Sequence, residues 1–357
     1  MYDQIREDHL FIICYSIVTA MAMMASCYLL LRRANAIAPD VTPPVRLRRW
    51  AAAFLASIAT NHLWYMPIFF LDSGNDIKVA DLIGGLLDSM TFFPLAIVVL
   101  LTMLQDRRRP LWPVAVMMAP IVAAGVWSVV AHSYALQPAV YVYFLLMCTG
   151  LIIYIVRALR RYGRWLRDNF ADLEHKEVWQ SFVVLAVMLT AFFIYASTSE
   201  GPVYQYAMQV SCSLLICYLL WRVETLSDLG DTVSRNEEMF SRNNPSSDLQ
   251  QKLQRHCIGT QLYLQHDLTI TQLAKAVGTN RLYLSQYFSS QGITYNAYIN
   301  DLRIQHFMSL YREAVATKRP FTARQLASES GYRSYSTFGI AFKQRMGQTV
   351  TAWMRNT

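Results

Sequence analysis

The chain has 357 residues, enough for two or three domains. Hydrophobic residues make up 54% of it, yet mean hydropathy is only +0.23, which argues against both a wholly soluble and a wholly membrane-embedded protein. The formal charge of +8 favours an anionic partner surface: nucleic acid, anionic lipid or both.

Seven apolar stretches are long enough to cross a bilayer as helices: 10–31, 50–71, 82–104, 111–131, 139–156, 178–198 and 203–221. The first is read as a span. Asp3, Glu7 and Asp8 precede it, the wrong sign for a cleaved leader, and it is too long for one. Loop charge then orients the bundle. Arg32, Arg33, Arg46, Arg48 and Arg49 lie between spans one and two. Arg107, Arg108 and Arg109 lie between three and four, and Arg157, Arg160, Arg161, Arg164, Arg167 and Lys176 between five and six. The opposite side carries only Arg6 and Lys78. Positive loops resist translocation, so the N-terminus is expected outside and the C-terminus in the cytoplasm.

Polar residues inside the spans are the candidates for sensing. Asn61 and His62 fall near the middle of span two and Asp88 in span three, with Trp64, Tyr65 and Trp127 nearby. Ionisable groups in lipid face a cavity or a partner, so these residues form either a pocket or a set of interhelical hydrogen bonds. The outward loops are short, so a signal must enter through the bundle, the lipid or another membrane protein. Span seven holds no Lys, which excludes a retinal Schiff base. The six cysteines show no metal spacing, and no metal or cofactor is expected. No phosphate-binding Gly loop, nucleophile elbow or His/Glu metal motif occurs, so an enzyme is not expected.

After Trp221 the composition turns polar. The reading divides the chain into a membrane domain 1–221, a linker 222–247 and a C-terminal domain 248–357. From Ile258 onward there are 11 Lys/Arg against 4 Asp/Glu, a plausible phosphate-facing surplus. A repeat gives the surplus meaning. QLAKAVGTNRLYLSQYFSSQGIT begins at Gln272 and QLASESGYRSYSTFGIAFKQRMGQT at Gln325. Gln272, Leu273, Ala274 and Gly278 match Gln325, Leu326, Ala327 and Gly331, and Phe288 matches Phe342. In each copy a small Ala lets two helices approach, and a Gly four residues later serves the turn between them. The pattern is a helix-turn-helix made twice, at about 268–292 and 321–347.

These segments, with GITYNAYINDLRI between them, resemble the DNA-binding domain of the AraC/XylS family of bacterial transcription regulators. Gly292, Tyr298 and Arg303 fit the family's middle motif. Phe307, Val350, Gly339 and Ile340 depart from it. The resemblance covers under a third of the chain. It implies base contacts from Arg281, Leu282, Ser285 and Gln286 in the first copy, and from Arg333, Tyr335, Ser336 and Ile340 in the second. Lys343 and Arg345 are better placed for phosphates. With Gly339 and Ile340 on its reading helix, the second copy is expected to grip backbone more than bases.

The expected fold is all-α: a seven-transmembrane-helix bundle followed by a cytoplasmic double helix-turn-helix. The expected function is a membrane-anchored one-component regulator in the bacterial cytoplasmic membrane. Its expected partners are double-stranded promoter DNA, the lipid bilayer, a second copy in a homodimer, and a small-molecule or membrane-protein signal. The alternative is a transporter or membrane sensor whose C-terminal tail mediates autoregulation or protein contact.

Overall fold

The computed structural model describes residues 8–32, 35–39, 41–71, 73–184, 202–229 and 247–356. All its regular elements among these residues are helices; the sole β-type pairing is a bridge between Phe170 and Thr269. The chain divides into two compact units. One comprises 1–160 with 178–230, the other 161–177 with 231–357. The segment 161–177, read from sequence as a loop between two spans, thus belongs to the C-terminal unit.

In the first unit the helices are α1 (His9–Leu31), α2 (Val45–Tyr65), α3 (Gly74–Met90), α4 (Phe92–Met103), α5 (Trp112–Ala131), α6 (Gln137–Asn169) and α7 (Pro202–Thr225). Residues 179–184 are also helical; the rest of the expected sixth span lies outside the described residues. Five helical stretches are long and apolar enough to cross a membrane: α1, α3 with α4, α5, α6 and α7. Helix α2 is not among them. It opens with Arg46, Arg48 and Arg49, ends at Tyr65, and passes into a 3₁₀ turn over Met66–Phe70. Pro67 lies in that turn, where its missing N–H costs nothing. The expected third span is two helices, interrupted at Thr91 (φ −121°). Pro94 explains the break, because its ring clashes with the carbonyl four residues back, that of Met90.

Small residues set how closely α1 and α2 pack. Ala22, Ala25 and Ser26 on α1 and Ala51, Ala52 and Ala59 on α2 are buried. Ser26 Oγ donates to the Ala52 carbonyl at 2.8 Å. Close backbone approach through small residues is what helices use where lipid supplies no hydrophobic drive. Other faces carry exposed Ile13, Ile17, Val116, Leu145, Leu146 and Ile152. The end of α7 and the residues after it are tied to α1, α2 and the loop after α4. The fully buried Glu224 accepts from the Tyr28 hydroxyl at 3.1 Å and lies 3.7 Å from Arg48 Nε. Gln105 bonds the Ser227 carbonyl and the Leu229 amide, each at 2.9 Å.

In the second unit, α8 (Ser247–Leu253) precedes α9 (Ile270–Val277) and α10 (Arg281–Ser290). The long α11 (Tyr295–Ala316) follows, then α12 (Ala323–Glu329), α13 (Tyr335–Met346) and α14 (Val350–Asn356). The helix starts are capped by Thr, Ser and Asn side chains. Thr269 and Gln272 form a reciprocal capping box at α9. Asn280, Thr294, Thr322 and Ser334 each accept a backbone N–H at the start of the next helix. Two cores result. Leu273, Ala274, Leu284, Phe288 and Ile299 belong to one; Leu326, Ala327, Phe338, Phe342 and Trp353 belong to the other.

Arg303, on α11, joins them. Its side chain is almost fully buried, yet Nε donates to the Tyr263 carbonyl and Nη2 to that of Gln265, both at 2.7 Å. The guanidinium also lies 5.5 Å from the centre of the Tyr332 ring, beside the second turn. The two turn glycines differ in a testable way. Gly278 has φ +72° with open space around it. Gly331 has φ +87°, and a Cβ there would meet the Leu264 backbone oxygen at 2.7 Å. Gly278→Ala should therefore cost about 1–2 kcal/mol, the left-handed penalty alone. Gly331→Ala should cost a further 1–3 kcal/mol or so for overpacking. Amide hydrogen exchange across α12 and α13 of the full chain would show the larger loss in the second variant.

Candidate nucleic-acid interface

In each helix-turn-helix the first helix is amphipathic and the second is held against it by its own apolar residues. On α10, Leu284 and Phe288 are buried, and on α13, Phe338 and Phe342. That burial turns the opposite face of each helix outward. Leu282 is 56% exposed and Ile340 60%, while Gln286 and Ser336 are also exposed. Leu282 and Gln286 correspond to Ser336 and Ile340 at the same offset as Phe288 to Phe342. The two reading helices therefore present equivalent outward pairs, four residues apart and on one face. An exposed helix of this kind has the dimensions to enter a major groove.

The remaining candidates are placed less simply. Arg281 and Ser285 are half-buried. Burial pulls the Arg281 guanidinium below its ordinary pKa, and the nearby Asp168 carboxylate opposes that shift. Ser285 lines a small cleft with Asp168 and Ser289. Tyr335 packs its ring against Phe338, with centroids 5.8 Å apart, so only part of it faces outward. Arg333 is exposed and lies 3.7 Å from an Asp267 oxygen. Arg345 is exposed and paired with Asp301 on α11. Lys343 is exposed and shows no ion pair among the described residues.

One residue escaped the sequence reading. Thr337, in the first turn of α13, directs its hydroxyl to Glu174 Oε2 at 3.3 Å. Its adjacency to Ser336 was the available signal; the partner, 163 residues earlier in the chain, was not visible.

The intramembrane candidates divide. Asn61 donates to Asp88 Oδ1 at 2.5 Å and the Tyr65 hydroxyl donates to Oδ2 at 2.9 Å. Gly84 makes room for this, since a Cβ there would meet the Tyr65 ring at 2.5 Å. His62 sits beside the cluster; its Nδ1 is 3.0 Å from the Ile58 carbonyl, and its own carbonyl accepts from the Tyr15 hydroxyl at 2.7 Å. Trp64 donates to the Ala80 carbonyl at 3.2 Å and is 39% exposed. Trp127 is 43% exposed and is not brought into the cluster. Among the described residues no group of His, Cys, Asp or Glu is arranged to hold a metal.

A family profile described as "Helix-turn-helix domain" matches residues 273–356. It covers both reading helices and the long helix between them, and it agrees with the AraC-type resemblance of this segment. No curated protein and no solved structure matches the chain.

Two substitutions separate the roles of the exposed residues. Lys343→Ala should weaken binding to all duplexes alike and lower the slope of log affinity against log salt by about one. Gln286→Ala should leave that slope intact and remove about 1–3 kcal/mol of discrimination at one base pair. Fluorescence anisotropy over a salt series, on a selected and a scrambled duplex, distinguishes them.

Proposed function

We propose that this protein is a membrane-anchored one-component transcription regulator. In this reading a seven-helix bundle, N-terminus outside, anchors the chain in the bacterial cytoplasmic membrane. The double helix-turn-helix binds promoter DNA sequence-specifically in the cytoplasm. The observation that carries the reading is the equivalent outward pairs, Leu282 with Gln286 and Ser336 with Ile340, on a chain that also holds five membrane-length apolar helices.

The chemistry of those pairs favours A·T-containing half-sites. Gln pairs bidentately with adenine N6 and N7, and an exposed Leu or Ile gains by covering a thymine methyl. Two reading helices on one long connecting helix would enter successive major grooves, about 34 Å apart. A homodimer doubles these contacts and raises affinity through effective concentration. A signal reaches the bundle as a small molecule or a membrane-protein partner. The Asn61–Asp88–Tyr65 cluster is the natural receiver, because a ligand that competes for Asp88 changes how α2 is held to α3.

Selection from a randomised duplex pool by the full chain in lipid nanodiscs tests this. Paired half-sites about 10 base pairs apart, containing A·T pairs, are expected. Deoxyuridine in place of the contacted thymine removes one methyl and should cost about 0.8 kcal/mol, roughly fourfold in affinity. Leu282→Ala should abolish that sensitivity at its own half-site. Absence of any enriched sequence would overturn the regulator reading. Enrichment without a deoxyuridine effect would overturn the methyl contact alone.

A further inference from the structure

Segment Arg161–Glu177, the last turns of α6 and the residues that follow them, folds as part of the DNA-binding unit. It has a small core of its own. Tyr162, Leu166 and Phe170 are buried, Trp165 packs on Phe170 with centroids 5.6 Å apart, and the Tyr162 hydroxyl donates to the Lys176 carbonyl at 3.0 Å. It is anchored to the first helix-turn-helix through its backbone. The Ala171 amide donates to the Leu268 carbonyl at 3.1 Å, and Phe170 bridges to Thr269, the cap of α9. Asn296 Nδ2 bonds the carbonyls of Ala171 at 2.7 Å and Phe170 at 3.2 Å. Ala171 itself is buried in the core that holds Leu273 and Phe288.

Two carboxylates extend from this anchor to the two reading helices. Asp168 shares a cleft with Ser285 and lies within electrostatic reach of Arg281. Glu174 accepts the hydroxyl hydrogen of Thr337, next to Ser336. Asp168 lies beside the middle of α10, at Ser285 and Ser289, and Glu174 beside the first turn of α13, where a phosphate backbone would otherwise meet cations and hydroxyls. A carboxylate in such a place repels phosphate and occupies the group that would bind it.

We propose that segment 161–177 is an intramolecular ligand of the DNA-binding surface, which hydrogen-bonds Thr337 of α13, sets the Asp168 carboxylate beside α10, and must shift before DNA seats fully. The proposal rests on the DNA-binding reading above. Each contact is individually modest, so the grip is reversible. Its ends are covalently continuous with α6 on one side and with the helical residues 179–184 on the other, so a displacement of either bears on the reading helices directly. The two states, gripped and released, are what a signal would bias.

The test uses the full chain in zwitterionic nanodiscs and a random-sequence duplex of about three helical turns. Asp168→Asn with Glu174→Gln should bind that duplex roughly fivefold more tightly than a charge-matched control, Glu313→Gln with Glu329→Gln, which lies on other helices. Asn296→Ala loosens the anchor without changing charge and should also tighten binding. In the wild type, saturation with duplex should speed amide exchange across 161–177. Binding no tighter than the control's in both variants, or exchange in 161–177 unchanged by bound duplex, would overturn the proposal and show a structural brace. Failure of every protein, control included, to bind duplex would overturn the DNA-binding reading and this proposal with it.

Discussion

The guanidinium of Arg303 is the point on which the DNA-binding unit depends. It sits inside the protein on the long helix α11, and burial pulls it below its ordinary pKa. Among the described residues no carboxylate bonds it; carbonyls of Tyr263 and Gln265 do, and the Tyr332 ring covers it. A buried cation satisfied by backbone oxygens is tolerable only while all of them stay in place. That requirement fixes the strand of chain 263–266 against α11 and, through His266 Nδ1 at 3.1 Å from the Gly331 carbonyl, fixes the second turn as well. Gly331 then has to lie so close to Leu264 that no other residue fits. The spacing of the two reading helices is thus a consequence of one buried side chain and the close contact it enforces.

The membrane-length helices are built by different physics. Their outward faces are apolar and exposed, so hydrophobic burial contributes little between them. Small residues let α1 and α2 approach, and hydrogen bonds between elements add to this, among them Ser26 to Ala52, Tyr143 to Met117, and Asn61 and Tyr65 to Asp88. A unit held in part by such polar ties can change arrangement when one of them is contested. In the DNA-binding unit the contacts of Arg303 tie the two halves together.

Much of this was legible in the sequence because it is local. The turn glycines Gly278 and Gly331 and the apolar spacing of Leu284 with Phe288 each speak within one helical turn. Arg303 was visible as a motif residue, but its burial was not, since its partners lie about forty residues away. The break at Thr91 could have been read from Pro94. The docking of Ala171 on Leu268 could not, because an isolated backbone contact across nearly a hundred residues leaves no periodicity. The same reason hid Thr337. Cationic composition marked the interface broadly, while the pairing of Arg333 with Asp267 and of Arg345 with Asp301 depends on the tertiary fold.

The central claim is that a chain with a membrane part reads defined DNA with the outward residues of α10 and α13. The most direct measurement is capture of chromosomal DNA cross-linked to the intact protein in cells, compared with a Leu282→Ala, Gln286→Ala, Ser336→Ala variant. The account predicts discrete loci for the wild type and their loss in the variant, with both proteins equally abundant in the membrane fraction. The same loci at the same occupancy in the variant, or no discrete loci for the wild type, would contradict it.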